Sequence, residues 1–293
     1  MKFFKFLPIL ILCCSVSAVS AQTKKSDDET VMVLPFENVT GRPEYNWIGE
    51  SFAGALSDLM RIPGVDSVSN EERKIIQQRL NISISSLPSL AASLKMAQEG
   101  RATILVTGKY ETIQPSEAGA SISVSVTAKA IRVSDGRFLA DATPDGKKML
   151  RDVVLSDAVR NLQTMQGQIA YALLYQRFKD GLVYSEKQFT EEANKVPSVA
   201  FEAYVKGLAA ADSGEQNREG YFKNAIRIYA EEKAGKIYPD AALELGHLYL
   251  EQRRFKEALD YFARIDTAEP SYAEAAFYSG LIYWRQADFE QAL

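Results

Sequence analysis

The apolar and polar positions of residues 31–178 alternate in a way that predicts short strands and helices. Residues 31–36 are a continuous apolar run, which is typical of a strand covered on both faces. Residues 47–60 place Ile48, Phe52 and Leu56 on one helical stripe, and Pro63 follows it, so this segment predicts an amphipathic helix. Residues 120–133 alternate between apolar and polar, which predicts an antiparallel strand with one buried face.

The other segments of this region complete the predicted sheet. They are a strand at 65–68, helices at 70–80 and 88–98, a strand at 102–110, a hairpin turn at 135–136 into a strand at 138–142, and a helix over 150–178. The order βαβααβββα predicts an α+β domain with a mixed sheet and helices on one or both of its faces.

The last third of the chain repeats itself at an offset of 34 residues. The matched pairs are Gly246 and Gly280, Tyr249 and Tyr283, Phe255 and Phe289, and Ala258 and Ala292. This spacing of small and aromatic residues is similar to the signature of tetratricopeptide (TPR) repeats, in which small residues let two antiparallel helices touch. An imperfect copy with a longer polar turn precedes them at 201–229. We therefore expect an all-α TPR solenoid over 199–293 whose last repeat is incomplete.

The N-terminal segment is typical of an export signal. Two lysines precede an apolar run over residues 6–14, and Val19 and Ala21 stand at the −3 and −1 positions before Gln22. We predict a signal peptide over 1–21 and a linker over 22–30. A lipoprotein signal is disfavoured because Leu12, not a small residue, precedes Cys13. An uncleaved anchor is disfavoured because the run is shorter than the about 20 apolar residues that a membrane span needs.

Composition limits the function classes. The 293 residues are 46% hydrophobic and 25% charged, and a chain of this length is typically divided into two domains. The formal net charge of −4 gives the chain no electrostatic basis for binding nucleic acid. The single histidine is His247, and both cysteines lie inside the predicted signal peptide. A mature chain without thiols suits an oxidising compartment and cannot use thiolate chemistry. The composition therefore favours a binding protein over an enzyme, and it implies no cofactor.

Candidates for catalysis are few. Ser51 lies in a sequence one residue away from a nucleophile elbow, but its segment is predicted to be mid-helix. We interpret Glu37 as a hydrogen-bonded residue of a loop. We interpret Glu50 as a charge near the start of a helix, where the helix dipole favours a carboxylate. The acidic residues 27–29 are read as a solvated tail. We find no paired histidines, no thiolate ligands and no glycine-rich phosphate loop, so no metal site and no catalytic residue are predicted.

Residues 31–178 resemble the TolB-type amino-terminal domain, which is related to the FlgO and CsgG envelope proteins. The resemblance depends on residues 33–41 (VLPFENVTG) and 46–50 (NWIGE), with weaker matches at 105–110 and 132–136. It implies a periplasmic, non-enzymatic domain for protein contacts at the cell envelope. The β-propeller of TolB itself is absent, so the partners of TolB are not carried over.

The predicted functional surface is the concave groove of the TPR region. The groove residues share i, i+4, i+7 spacing on the first helix of each pair, and they are Leu243, His247, Leu250, Phe277, Leu281 and Trp284. A stripe of apolar and aromatic side chains suits an extended or helical apolar segment of a partner. The alternative is that some of these side chains pack against a following repeat.

We therefore expect an exported scaffold of the periplasm or envelope that binds other proteins and catalyses no reaction. One alternative is an oligomeric component of a secretion or motility complex, and a less favoured one is an envelope hydrolase that uses Glu37, Glu50 or Ser51. Membrane association would require an uncleaved N-terminal segment. Residues 179–198 are predicted to link the two domains.

Overall fold

The described chain combines a mixed β-sheet with a C-terminal array of helices. The computed structural model describes residues 29–83, 87–114, 122–142, 149–213 and 217–292. The predicted signal peptide and most of the predicted linker after it lie outside these ranges. Within them, no helix combines the length and the apolar character that crossing a membrane requires.

Eight strands are described, and six of them form one sheet. They are, in chain order, β1 (Glu29–Val33), β2 (Glu37–Asn38), β3 (Val65–Ser67), β4 (Ile104–Ile113), β5 (Ser123–Arg132), β6 (Asp141–Ala142), β7 (Met149–Leu150) and β8 (Val153–Ala158), of which β6 and β7 form a separate two-stranded ribbon. The spatial order is β3-β1-β4-β5-β8, and β2 also pairs with β4. Strand β1 runs parallel to β3 and β4, whereas β5 runs antiparallel to both β4 and β8. The predicted mixed sheet is therefore present.

The helices occupy the two faces of the sheet and the C-terminal region. They are α1 (Asn46–Leu59), α2 (Asn70–Arg79), α3 (Leu90–Glu99), α4 (Leu162–Phe178), α5 (Glu186–Ala193), α6 (Ser198–Ser213), α7 (Arg218–Glu232), α8 (Pro239–Glu251), α9 (Phe255–Phe262), α10 (Tyr272–Arg285) and α11 (Phe289–Ala292). Ser69 and Ser89 begin α2 and α3 by accepting hydrogen bonds from backbone amides three residues on.

The alternating strand residues divide the hydrophobic core between the two faces of the sheet. On one face, Val106 and Val126 pack with Ile48 of α1 and Ile169 of α4. On the other face, Leu105 packs in a smaller cluster with residues of α2 and α3. That smaller cluster covers only one end of the second face, and Thr107, Lys109, Thr127 and Lys129 line a pocket beside it.

The C-terminal helices pack as consecutive pairs, α6 with α7, α8 with α9 and α10 with α11. The glycines at the contacts allow close approach of the helices. A Cβ atom on Gly207 would lie 2.5 Å from the ring of Phe222, and one on Gly246 would overlap the ring of Phe262. This confirms the inference that Gly246 lies where two helices touch.

Helix α6 belongs to both hydrophobic cores. Val205 is buried with the sheet core, whereas Ala200 and Ala203 are buried with the C-terminal helices, and Tyr204 packs against both. The ammonium of Lys206 lies 5.4 Å from the ring centroid of Trp47 in α1, which adds a cation–π contact between the two parts. The sheet region and the helical array therefore share packed side chains.

Three predicted boundaries differ from the structure. Residues 153–158 form strand β8, not the start of a helix, and α4 begins only at Leu162. The predicted strand at 138–142 reduces to a single bridge between Phe138 and Ile131 and the short strand β6. Strand β8 takes its place beside β5 because Val153 and Leu155 alternate toward the sheet core.

The two predicted linkers also contain structure. Residues 179–198 include α5, which begins with a capping box between Ser185 and Gln188 and buries Phe189 in the sheet core. Strand β1 begins at Glu29, inside the predicted linker 22–30. The carboxylate of Glu29 pairs with Arg177 and is buried, so this residue is not part of a solvated tail.

Candidate protein-binding surface

The predicted groove residues fall into three groups by exposure. Phe277 and Trp284 of α10 are 66% and 60% exposed, respectively. His247, Leu250 and Leu281 are half-buried. Leu243 of α8 is buried in the core of the helical array, so it does not offer a side chain to a partner.

Helices α8 and α10 contact each other through aromatic rings. The ring of His247 packs edge-on against Tyr278, with centroids 4.5 Å apart, and Tyr278 packs edge-on against Phe277 at 5.3 Å. Hence the structure brings predicted residues from both helices onto one continuous surface. Tyr278 was not predicted, because it lies one residue away from the i, i+4, i+7 stripe.

Carboxylates on the same helices border these rings. Glu244 and Glu251 lie three residues before and four residues after His247 on α8, so helical geometry places all three on one face. Glu274 of α10 reaches His247, with 3.5 Å between its Oε1 and the imidazole Nε2. We use the name α8–α10 surface for Glu244, His247, Glu251, Glu274, Phe277, Leu281 and Trp284.

Three titratable side chains of the α8–α10 surface have shifted pKa values. Burial raises the pKa of Glu244 to about 7, although Arg218 acts to lower it. Burial also raises the pKa of Glu274 and lowers the pKa of His247. The guanidinium of Arg218 lies 3.7 Å from Glu244 and 3.2 Å from Glu251, so a single cation serves two carboxylates.

A carboxylate of the sheet region also acts on this surface. Glu71, in the first turn of α2, acts electrostatically on Glu244, His247 and Glu274. It also lines a small hollow of about 50 Å³ between α1, α2 and α6, together with Phe201 and other residues. The negative charge that acts on α8 and α10 therefore comes partly from α2.

Two more acidic residues at helix ends have raised pKa values. Desolvation raises the pKa of Asp58, at the end of α1, to about 6; Arg61 opposes this rise, and the charge of Asp240, at the start of α8, adds to it. Desolvation and the charge of Glu269 raise the pKa of Asp240 as well. Carboxylates with raised pKa values therefore occur on both α1 and α8.

The structure places Glu37 apart from Glu50 and Ser51, the other two residues that the alternative of an envelope hydrolase would use. Glu37 is exposed on β2 and lines a pocket of about 300 Å³ with Lys109. Glu50 pairs with the buried Arg73 at 3.0 Å. The hydroxyl of Ser51 is buried, donates to the carbonyl of Ile48, and accepts a hydrogen bond from Gln166. Glu50 and Ser51 line the same 50 Å³ hollow, but Glu37 lies elsewhere.

A further pocket of about 480 Å³ lies between the end of α1 and α5. Asp58, Arg61, Phe189 and Lys195 are among its lining residues. Across all the described ranges, no three histidine, cysteine or acidic side chains are grouped closely enough to hold a metal ion.

Comparisons with known proteins leave the family open. No family model matches the chain, and no curated protein matches it. Among solved structures, the LpoB C-terminal domain from Salmonella enterica is 12% identical with a TM-score of 0.31, over 45% of this chain and 83% of that one. The PelC dodecamer from Paraburkholderia phytofirmans is 15% identical with a TM-score of 0.27, over 45% of this chain and 73% of that one.

A lipoprotein from Neisseria meningitidis, GNA1162, is a third structural neighbour. It is 16% identical with a TM-score of 0.28, over 44% of this chain and 79% of that one. At these identities and TM-scores, the three likenesses carry no argument about the fold or the function of this chain.

Proposed function

We propose that this protein is an exported scaffold of the bacterial periplasm or envelope that binds a segment of a partner protein on its α8–α10 surface. It catalyses no reaction of its own. The observation that carries the proposal is the exposure of Phe277 and Trp284, two large aromatic side chains on one helix beside α8. Trp and Phe rings provide large apolar contact areas, and tryptophan is enriched among the residues that dominate binding energies.

The sequence resemblances support this assignment. The 34-residue period and the consecutive helix pairs suit a TPR array, which would present α8 and α10 on its concave side. The TolB-type resemblance of the sheet region suits contacts at the cell envelope. The basic start, apolar run and small residues of the N-terminal segment suit export.

The proposal is tested with the mature chain as bait in an envelope extract of the source organism. We expect the native chain to retain specific proteins and the F277A/W284A variant to lose them, because truncating two aromatic anchors typically costs at least about 2 kcal/mol of binding energy. The retained proteins are identified by mass spectrometry, and their direct binding is then measured with purified components.

The matched control is L87A/L90A, which removes two other exposed apolar side chains from the start of α3 and its preceding loop. Circular dichroism establishes that both variants are folded. If F277A/W284A retains the same proteins as the native chain, or if L87A/L90A loses them equally, the α8–α10 surface is not the binding site.

A second candidate function is an oligomeric component of a larger envelope assembly. The observation that favours it is the edge of the sheet at β8, which among the described strands pairs only with β5 and leaves Val154 59% exposed. An open strand edge can pair with another chain. Size-exclusion chromatography with light scattering tests this function, since a monomer at high concentration would contradict it.

A further inference from the structure

The charge of the α8–α10 surface limits which partner segments fit it. We infer that it selects a segment in which lysine or arginine side chains flank an apolar side chain, an inference that rests on the proposed function. The partner class is therefore a basic amphipathic segment of another protein, not a purely apolar one.

The charged groups beside the exposed rings are mostly carboxylates. Glu244, Glu251 and Glu274 lie on α8 and α10, and the charge of Glu71 on α2 acts on Glu244 and Glu274. Arg218 is the cation that contacts two of these carboxylates, and Lys74 acts on Glu244 from α2. A segment with cationic side chains would complement this negative field, whereas an acidic segment would be repelled.

The cations that contact these carboxylates neutralise them only in part. The Nε2 atom of His247 lies 3.5 Å from Glu274 but makes no hydrogen bond in the described chain, and it is shielded from solvent. The Arg218 guanidinium is divided between Glu244 and Glu251. An additional ammonium or guanidinium group beside the exposed carboxylates of Glu251 and Glu274 would add positive charge that Arg218 alone does not supply.

The exposed aromatic side chains share helix α10 with one of the carboxylates. Phe277 lies three residues after Glu274 on α10, so both are on the same side of the helix. Trp284 lies seven residues after Phe277, which is about 10 Å along the axis. An apolar side chain of a bound segment can therefore contact a ring while its basic neighbours reach carboxylates on α8 and α10.

The test uses three labelled twelve-residue peptides as probes, and binding is measured by fluorescence anisotropy. One contains four Lys-Leu-Ser repeats, one has glutamate in place of lysine, and one has serine in place of leucine. We expect the Lys-Leu-Ser peptide to bind the native chain at least about tenfold more tightly than either counterpart. We also expect its affinity to fall with added salt.

Two protein variants locate the effect. We expect E244Q/E251Q/E274Q to weaken binding of the Lys-Leu-Ser peptide by about tenfold. This factor corresponds to the summed binding free energy of three partly exposed charge contacts. The matched control E99Q/E111Q/E232Q removes the same formal charge from exposed positions on α3, β4 and α7 and should leave binding unchanged. Equal weakening by both variants would mean nonspecific attraction to an acidic protein and would overturn the inference.

The outcomes separate this inference from the proposed function. If the lysine and glutamate peptides bind equally and F277A/W284A abolishes both, the surface binds partners without regard to charge, so only the inference fails. If F277A/W284A leaves the binding of the Lys-Leu-Ser peptide unchanged, the proposed binding surface itself is wrong. If none of the three peptides binds, the selection of basic segments is overturned, and the capture experiment alone decides the function.

Discussion

Arg73 is a charged residue that lies inside the fold. Its side chain is almost fully buried, and its guanidinium donates to Glu50 at 3.0 Å and to Gln77 at 2.9 Å. These two acceptors compensate for much of the desolvation of a buried cation. The pairing also holds Glu50, one of the residues that line the 50 Å³ hollow, in a structural contact.

We predict that R73A lowers the free energy of unfolding by about 3–5 kcal/mol, because it removes the partner of a partly buried carboxylate and leaves a cavity. The control R79A breaks an exposed ion pair with Glu99 and should change stability by less than about 0.5 kcal/mol. Urea unfolding of both variants measures these values. Equal losses in the two variants would contradict the structural role of Arg73.

Glu244 makes stability depend on pH in an unusual direction. Its pKa is about 7 in the folded chain and near its ordinary value of 4.5 when unfolded. The folded chain therefore holds this proton more tightly, and ionisation of Glu244 destabilises the fold as pH rises from about 4.5 to about 7. The loss is on the order of 1 kcal/mol per pH unit over that window.

We predict that E244Q, which cannot ionise, becomes more stable relative to the native chain as pH rises from 5 to 8. Urea unfolding at the two pH values measures the change, and E232Q, at an exposed position at the end of α7, is the control. A stability difference between E244Q and the native chain that does not vary with pH would exclude this coupling.

At the scale of the elements, the close contact between paired helices depends on glycine. We predict that G246A lowers the free energy of unfolding by about 1–3 kcal/mol, because a Cβ atom at this position would overlap the ring of Phe262. The matched control is G280A at the equivalent position of the next pair, where the new Cβ would lie 3.2 Å from the carbonyl oxygen of Ala292.

G280A should have little effect, because α11 has four residues and the intrinsic preference of alanine for helices offsets the contact. Thermal unfolding of the two variants compares them directly. If G246A is as stable as the native chain, the helices of the second pair do not approach as closely as the structure indicates.

The elements differ in how well the sequence predicts them. Strand β5 and helix α1 are predicted within a few residues, because their apolar side chains recur with the period of the element and face one core. Strand β8 is missed because Val153, Val154 and Leu155 are consecutive apolar residues, a pattern that does not distinguish a strand from a buried helix. Helix α5 is missed because Phe189 is its only buried side chain.

The candidate surface is only partly predictable for a related reason. The repeat predicts which positions of α8 and α10 share a face, and Phe277 and Trp284 are indeed exposed. It does not predict that Leu243 is buried in the core. The charge of Glu71, which acts on Glu244, belongs to a helix more than 160 residues earlier in the chain, and no local pattern reports an electrostatic interaction over that separation.

At the scale of the whole molecule, the sheet region and the helical array should unfold together. The chain has two tryptophans, Trp47 in α1 and Trp284 in α10, so each part contains one natural fluorescent probe. We predict that in each of the single-tryptophan variants W284F and W47F the fluorescence curve coincides with the circular dichroism curve of the same variant, because α6 is packed into both cores. Two separate midpoints within one variant would show that the parts unfold independently.

The shared helix also limits how the C-terminal repeats could be transplanted. If residues 198–292 were grafted onto an unrelated carrier, Val205 and the apolar side chains of Phe201 and Tyr204 that pack on α1 and the sheet core would be exposed to water. Such a patch promotes aggregation. An engineered version would need polar residues at these positions, whereas the parent chain keeps them apolar because its own sheet covers them.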